Sequence, residues 1–305
     1  MSSVIKTDEK NVVEPSPKLF KGERWLVLTG VIGLLLAIGI AVFIFFKGSI
    51  ILPEGNISDA FSFNAAIGIF TLSIAAILPI AGFRDRKRKT IRWLFVISAL
   101  YAYAIETVQN FRGLNPRFST EGGVIDMVAG MIFGVISLLL VTLMIWLTIQ
   151  FFRLKSPHRR PLLILGIRYA FLSVFLANLA GIWMILMQDR FTGDAGNLIV
   201  LHGIGFHALQ TLILPAWLLE KTQVTDRFKK WLIHYGSIAW MLSIVLIAFQ
   251  TARGFSVFEL TLLPILASIL LLMWLVSTAI AFVSFMKKGR NNAFETDPIS
   301  IVKGE

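Results

Sequence analysis

Eight apolar stretches, each long enough for a helix to cross a lipid bilayer, divide this chain and constrain how it can fold. They run at about 25–46, 61–83, 91–110, 124–152, 161–187, 197–220, 231–250 and 257–286. A spanning helix needs about 20 mostly apolar residues, so each block supplies one crossing. The fourth and eighth are longer and are expected to tilt or run past the interface. Backbone polar groups in lipid need internal partners, and a helix provides them. The predicted fold is therefore an all-α integral membrane protein with eight transmembrane helices.

Composition narrows the function classes. Only 15% of the 305 residues are charged and 56% are hydrophobic, with a mean hydropathy of +0.76; a soluble domain carries roughly 25% charged residues. The net charge of +11 does not indicate nucleic acid, because the basic residues fall in short runs between apolar blocks and not on one soluble face. There are no cysteines. That excludes disulfides, thiolate metal sites, iron–sulfur ligation and CxxCH haem attachment. No lysine lies deep in an apolar block, so a retinal-type Schiff base lacks its nucleophile.

Lys and Arg concentrate on the cytoplasmic side of membrane proteins. Of 29 basic residues, 24 fall in the N-terminal tail or in the segments following the second, fourth, sixth and eighth blocks. The alternate segments hold Lys47, Arg112, Arg117, Arg190 and Arg253. Both termini are thus expected in the cytoplasm, with the protein in the plasma membrane. Residues 1–24 read as a disordered cytoplasmic tail, polar with Asp8, Glu9, Glu14, Pro15 and Pro17. No secretory cleavage signal is visible, so the first block is expected to remain as a helix. Helices 1–4 occupy 25–152, a basic cytoplasmic loop 153–160, helices 5–8 161–286, and a cytoplasmic tail 287–305.

The chain carries signs of internal duplication. The second block ends Ile77-Leu78-Pro79 and the sixth Ile213-Leu214-Pro215, each before a basic run. The third closes with Gln109-Asn110-Phe111-Arg112-Gly113 and the seventh with Gln250-Thr251-Ala252-Arg253-Gly254. Two four-helix halves, each with an even number of crossings, would be parallel and related by an axis along the membrane normal.

Candidate chemistry concentrates in Asn197–Leu219, the one span with two histidines at membrane depth. Ionisable groups inside spans are rare and mark function. At 1.5 Å per residue His202 lies roughly 7 Å below the outer interface and His207 roughly 15 Å. Gln210 shares a face with His207, whereas His202 and His207 are about 140° apart on a regular helix. Only a local π-bulge would align them. Glu106, in the third block, is expected near the depth of His202, with Tyr103 and Asn110 on its face and Gln109 beside it. Asn178, in the fifth block, is expected near the level of His207. The expected site is an outward-facing pocket: Glu106 and His202 for proton or ligand exchange, His207 and Gln210 as its floor, and Gln109 and Arg112 at its mouth. Structural roles compete with this reading, since interhelical polar pairs are ordinary packing devices. His158, His234, Arg190 and Asp194 read as loop or interfacial residues.

Three functions fit these residues. The first is binding or transport of a small solute, an ion or a proton entering from the outer face, using a titratable histidine and a carboxylate at membrane depth. The second is a membrane-embedded enzyme holding a metal with His202, His207 and Glu106; neither HExxH nor HxxxH is present. The third is quinone or haem redox. Two four-helix halves resemble, in architecture alone, the haem A synthases. That family places histidines on several helices of both halves, whereas here only the sixth block carries them at depth. The cofactor is unknown at this level.

Overall fold

A computed structural model describes residues 18–154 and 160–295, with side chains as far as Lys287. The expectations for residues 1–17, for His158 in the basic loop and for the last part of the C-terminal tail lie outside the described residues. The helices are α1 Arg24–Lys47, α2 Ile57–Ile77, α3 Asp85–Phe111, α4 Val124–Arg153, α5 Pro161–Met187, α6 Leu198–Thr211, α7 Ile213–Glu220, α8 Asp226–Ala252 and α9 Leu262–Glu295. A 3-10 turn, Leu78–Ile80, extends α2, and α6 and α7 together make one crossing. All eight crossings are long and apolar enough to span a membrane. The chain is a polytopic, all-helical membrane protein in its architecture.

Local chemistry sets the helix ends. α3 and α8 start several residues before their apolar blocks, because each opens on a polar turn with Asp85 or Asp226 at its first residue. A carboxylate there complements the positive helix end. The break at Leu212 follows from Pro215, which has no N–H to return to the carbonyl of Thr211. The indole Nε1 of Trp274 on α9 donates to that carbonyl at 3.3 Å.

Large apolar side chains remain exposed along α1, α4 and α9, among them Leu35, Phe45, Ile125, Val135 and Leu272. In water such a surface would be unstable; in lipid it is the solvated one. Without a hydrophobic drive between helices, close packing holds the bundle. α1 and α2 approach at Gly30 and Gly68, where an added Cβ would meet the other helix's carbonyl oxygen at 2.9 and 3.0 Å.

Two antiparallel hairpins lie at one end of the bundle, β1 Ile50–Ile51 with β2 Gly55–Asn56, and β3 Phe191–Thr192 with β4 Gly196–Asn197. Each ends in an asparagine that caps the next helix. Asn56 Oδ1 accepts from the Ser58 N–H at 3.1 Å, and Asn197 Oδ1 from that of Ile199 at 2.9 Å. α3 and α8 are both 27 residues long and both end before an Arg-Gly pair. Gly113 and Gly254 have φ of 78° and 80°, a region that costs other residues about 1–2 kcal/mol. Their carbonyls accept from the hairpin amides of Glu54 and Ala195, both at 2.8 Å. Ile50 and Phe191, Asn56 and Asn197, Asp85 and Asp226, and Gly113 and Gly254 are all separated by 141 positions. The QxxRG segments obey that spacing. The Ile-Leu-Pro segments do not: Pro215 follows Pro79 by 136 positions, and the two prolines occupy different places, a 3-10 turn and α7.

Candidate functional site

Glu106 is fully buried on α3. From the loop between α3 and α4, Arg117 Nη2 donates to Glu106 Oε2 at 2.9 Å. The guanidinium also lies over the rings of Phe63, at 5.4 Å, and Phe133, at 5.6 Å. Such faces attract a partly desolvated cation, so the pair is held beneath an aromatic cover. Asn64 Nδ2 on α2 donates to Thr107 Oγ1 at 2.9 Å. Among the described residues, three buried atoms of this seam, Glu106 Oε1, Asn64 Oδ1 and Tyr103 Oη, have no hydrogen-bond partner. Buried polar atoms are nearly always satisfied, so each marks acceptor or donor capacity open to a proton, a water or a ligand.

Gln109 and Arg112 belong to a neighbouring cluster. Asp126 Oδ1 accepts from Arg112 Nη1 at 2.5 Å and from Gln109 Nε2 at 3.0 Å. Asp126 also accepts from the Gly123 N–H at 3.0 Å and so caps α4. Gln109 is buried, while about half of the Arg112 side chain is exposed. Asn110, also buried, accepts from the Asn56 N–H at 3.0 Å and donates to the Glu106 carbonyl at 2.8 Å. This row ties the hairpin and the α3–α4 loop to the end of α3.

The histidines point apart. α6 is a regular α-helix between them, without the bulge that would align the rings. His202 faces α5, its Nδ1 2.8 Å from the Ala177 carbonyl, and it packs edge-on to Phe206. Ala177 and Gly181 flank it, so Asn178 stands at the level of His202 and not, as expected from length alone, of His207. His207 is exposed. Its Nδ1 lies 3.2 Å from Gln210 Oε1, and Gln210 Nε2 donates to Ser73 Oγ on α2 at 2.5 Å.

Register places Glu106 and His202 at similar depth. Asn64 bonds Thr107, Phe70 meets Phe206 at 5.4 Å, and α2 and α6 run in the same direction. From these pairings the two levels differ by about 1.5 Å. Among the described residues, however, no hydrogen bond or ion pair joins Glu106 to either histidine, and no three His, Asp or Glu side chains gather closely enough to hold a metal. The expected metal set of His202, His207 and Glu106 is not assembled. The expected site residues form a seam at Glu106, a knot at Gln109 and Arg112, a helix contact at His202 and a chain from His207 to Ser73.

Arg117 was visible in sequence only as part of a polar loop, although its place on the sparsely basic side was a signal. Arg190, expected in solvated loop, pairs with Asp59 at 3.2 Å and is half-exposed. Glu54 escaped notice altogether. It accepts from Ser119 Oγ at 2.5 Å, the Thr120 N–H and hydroxyl at 2.8 Å and the Asn115 N–H at 3.1 Å. Burial pushes its carboxyl up, but these donors outweigh burial and bring it down to about 2.

Fold and site together define a polytopic helical membrane protein with a buried carboxylate–guanidinium pair near its hairpin end. Protein-family models, curated proteins and solved structures contain no match to the chain.

Proposed function

We propose that the hairpin end of this bundle faces the outside of the plasma membrane and binds or transports a small solute or a proton, with Glu106 as the exchanging group. The observation that carries this reading is the buried Glu106 carboxylate, one oxygen paired with Arg117 and the other without a partner among the described residues. A membrane-depth acid with an open oxygen and a salt-bridge partner is a standard part of proton relays. His202 stands at a similar depth on α6, which supports it as a second participant. Gln109 and Arg112 hold the loop over the seam; Gln210, bound to Ser73 on α2, lies deeper on α6 as the floor.

In the same proposal both termini and the loop 153–160 are cytoplasmic, and helices 1–4 and 5–8 are parallel copies. The constant spacing of 141 positions between matching hairpins, caps and Arg-Gly turns supports the duplication. The excess of Lys and Arg on the opposite end supports the orientation.

The test is proton flux into vesicles reconstituted with the protein, loaded with a pH-sensitive dye and driven by a potassium diffusion potential. Wild-type vesicles should acidify, and Glu106→Gln vesicles should follow protein-free ones. Equal flux in both proteins would remove Glu106 from the role.

A second reading, binding of a membrane-soluble quinone, has one observation in its favour. His207 is exposed within the span and hydrogen-bonded to Gln210, which leaves the far ring nitrogen available to a carbonyl arriving from lipid. Quinone co-purifying with wild type and absent from His207→Ala would support it; none in either would end it.

A further inference from the structure

A concave feature lies at the basic end, away from Glu106. A cleft of about 800 Å³ opens between residues 18–20, the start of α5, the end of α7 and the start of α8. Lys18, Arg160, Lys221, Lys229 and Lys230 line it, against Glu220 and Asp226 as the acids. Arg160 Nη2 is bound to Glu220 Oε2 at 2.8 Å. Lys229, with its side chain only 10% exposed, has a single carboxylate 3.4 Å away on Asp226, whose own side chain is 84% exposed. Among the described residues Lys18, Lys221 and Lys230 have no carboxylate within ion-pair distance. Among the described residues the cleft therefore carries an excess of about three positive charges and one desolvated lysine at its wall.

Its other walls are apolar. Leu19, Phe20, Pro161 and Leu162 line it, and Lys221 Nζ sits 3.6 Å from the centre of the Trp217 ring. Trp217 in turn meets Phe285 of α9 at 6.3 Å, which continues the wall toward exposed helix surface. Along α8 the rings of Phe228, Trp231 and Tyr235 stack successively at 6.4 and 5.1 Å. Aromatic rings in such a row mark the headgroup level of a bilayer. The cleft thus combines ammonium groups, which suit phosphate as point charges, with an apolar wall at the depth where headgroup and acyl chain meet.

We propose that this cleft binds the phosphate-bearing headgroup of an anionic membrane lipid. Lys18, Lys221 and Lys230 face the phosphate, and Phe20 and Trp217 flank the glycerol and the first acyl carbons. Basic pockets beside membrane helices select anionic headgroups by this combination. The proposal is independent of the role of Glu106.

The test is native mass spectrometry of the full chain in detergent, titrated separately with phosphatidylglycerol, phosphatidylcholine and inorganic phosphate. Phosphatidylglycerol should bind about tenfold or more tightly than phosphatidylcholine. A Lys18→Gln, Lys221→Gln, Lys230→Gln variant should lose that preference. An Arg86→Gln, Lys87→Gln, Lys89→Gln variant, with the same charge removed from the start of α3, should keep it. Matching thermal unfolding of the three proteins confirms that each is folded. A preference that survives in the cleft variant, or falls equally in the α3 variant, overturns the proposal. Inorganic phosphate bound as tightly as the lipid would overturn the lipid assignment and leave a soluble phosphate as the ligand.

Discussion

Single residues at the hairpin end hold charge at very different cost. Arg117 keeps a fully buried carboxylate compensated. Removing one partner of a buried pair costs about 3–5 kcal/mol, more than removing both. Arg117→Gln should therefore lower the thermal midpoint in detergent far more than Glu106→Gln, and the double variant should recover most of the loss. Equal effects in the two single variants would mean that the buried charge is balanced elsewhere. Glu54 behaves oppositely, as a carboxylate held in its charged form by four donors. Its carboxyl stands at about 2 instead of the ordinary 4.5. The folded state thus favours the ionised group, and the stability gained is complete above pH 4.5 and lost as pH falls through about 2. Amide exchange over residues 115–120, corrected for intrinsic rates, should accelerate between those values. Glu54→Gln should exchange fast at every pH, with the acid dependence gone.

At the scale of elements, the caps and turns decide where helices begin and end. Asn56→Ala and Asn197→Ala each remove an N-cap, with an expected loss of about 1 kcal/mol apiece. Gly113→Ala and Gly254→Ala force a side chain into positive φ and into the facing hairpin, against Leu52 and Gly193. Both should destabilise by about 1–2 kcal/mol or more, and a neutral result at either would argue against the turn geometry there. The α6–α7 break gives a coupled pair. Trp274→Phe strands the Thr211 carbonyl released by Pro215, at about 1–3 kcal/mol for an unsatisfied buried acceptor. With Pro215→Ala the helix can supply its own N–H, so Trp274→Phe should then cost less; additive losses would show that the indole does not serve that carbonyl.

For the whole molecule, orientation is open to direct labelling, because the chain has no cysteine of its own. Glu121→Cys and Asp194→Cys sit in exposed loops at the hairpin end, and Lys89→Cys and Arg227→Cys at the basic end. An impermeant maleimide applied to intact cells should modify the first two and spare the others until the membrane is opened. The reverse pattern would invert the topology and with it the outward-facing site. The two halves meet directly at Phe70 against Phe206 and at Ser73 with Gln210, and their hairpin ends are bridged by Asp59 and Arg190. That half-exposed ion pair is worth about 0–1 kcal/mol, so Asp59→Asn should leave unfolding almost unchanged.

The eight crossings could be read from the chain alone, since the period and length of apolar blocks follow from bilayer thickness and from the need to satisfy every backbone group locally. Helix phase was legible too: the spacing of His202 and His207 already separated their directions, and a regular α6 keeps them apart. Which polar groups meet was not, because lateral contacts between helices depend on rotation and on the loops that cross the helix ends. Spacing within a helix could not show that Arg117 folds back over α3 to reach Glu106, that Arg112 turns to Asp126, or that Ser73 receives Gln210. The first two pairings arise only when the α3–α4 loop closes over α3, and the third only when α2 and α6 pack side by side.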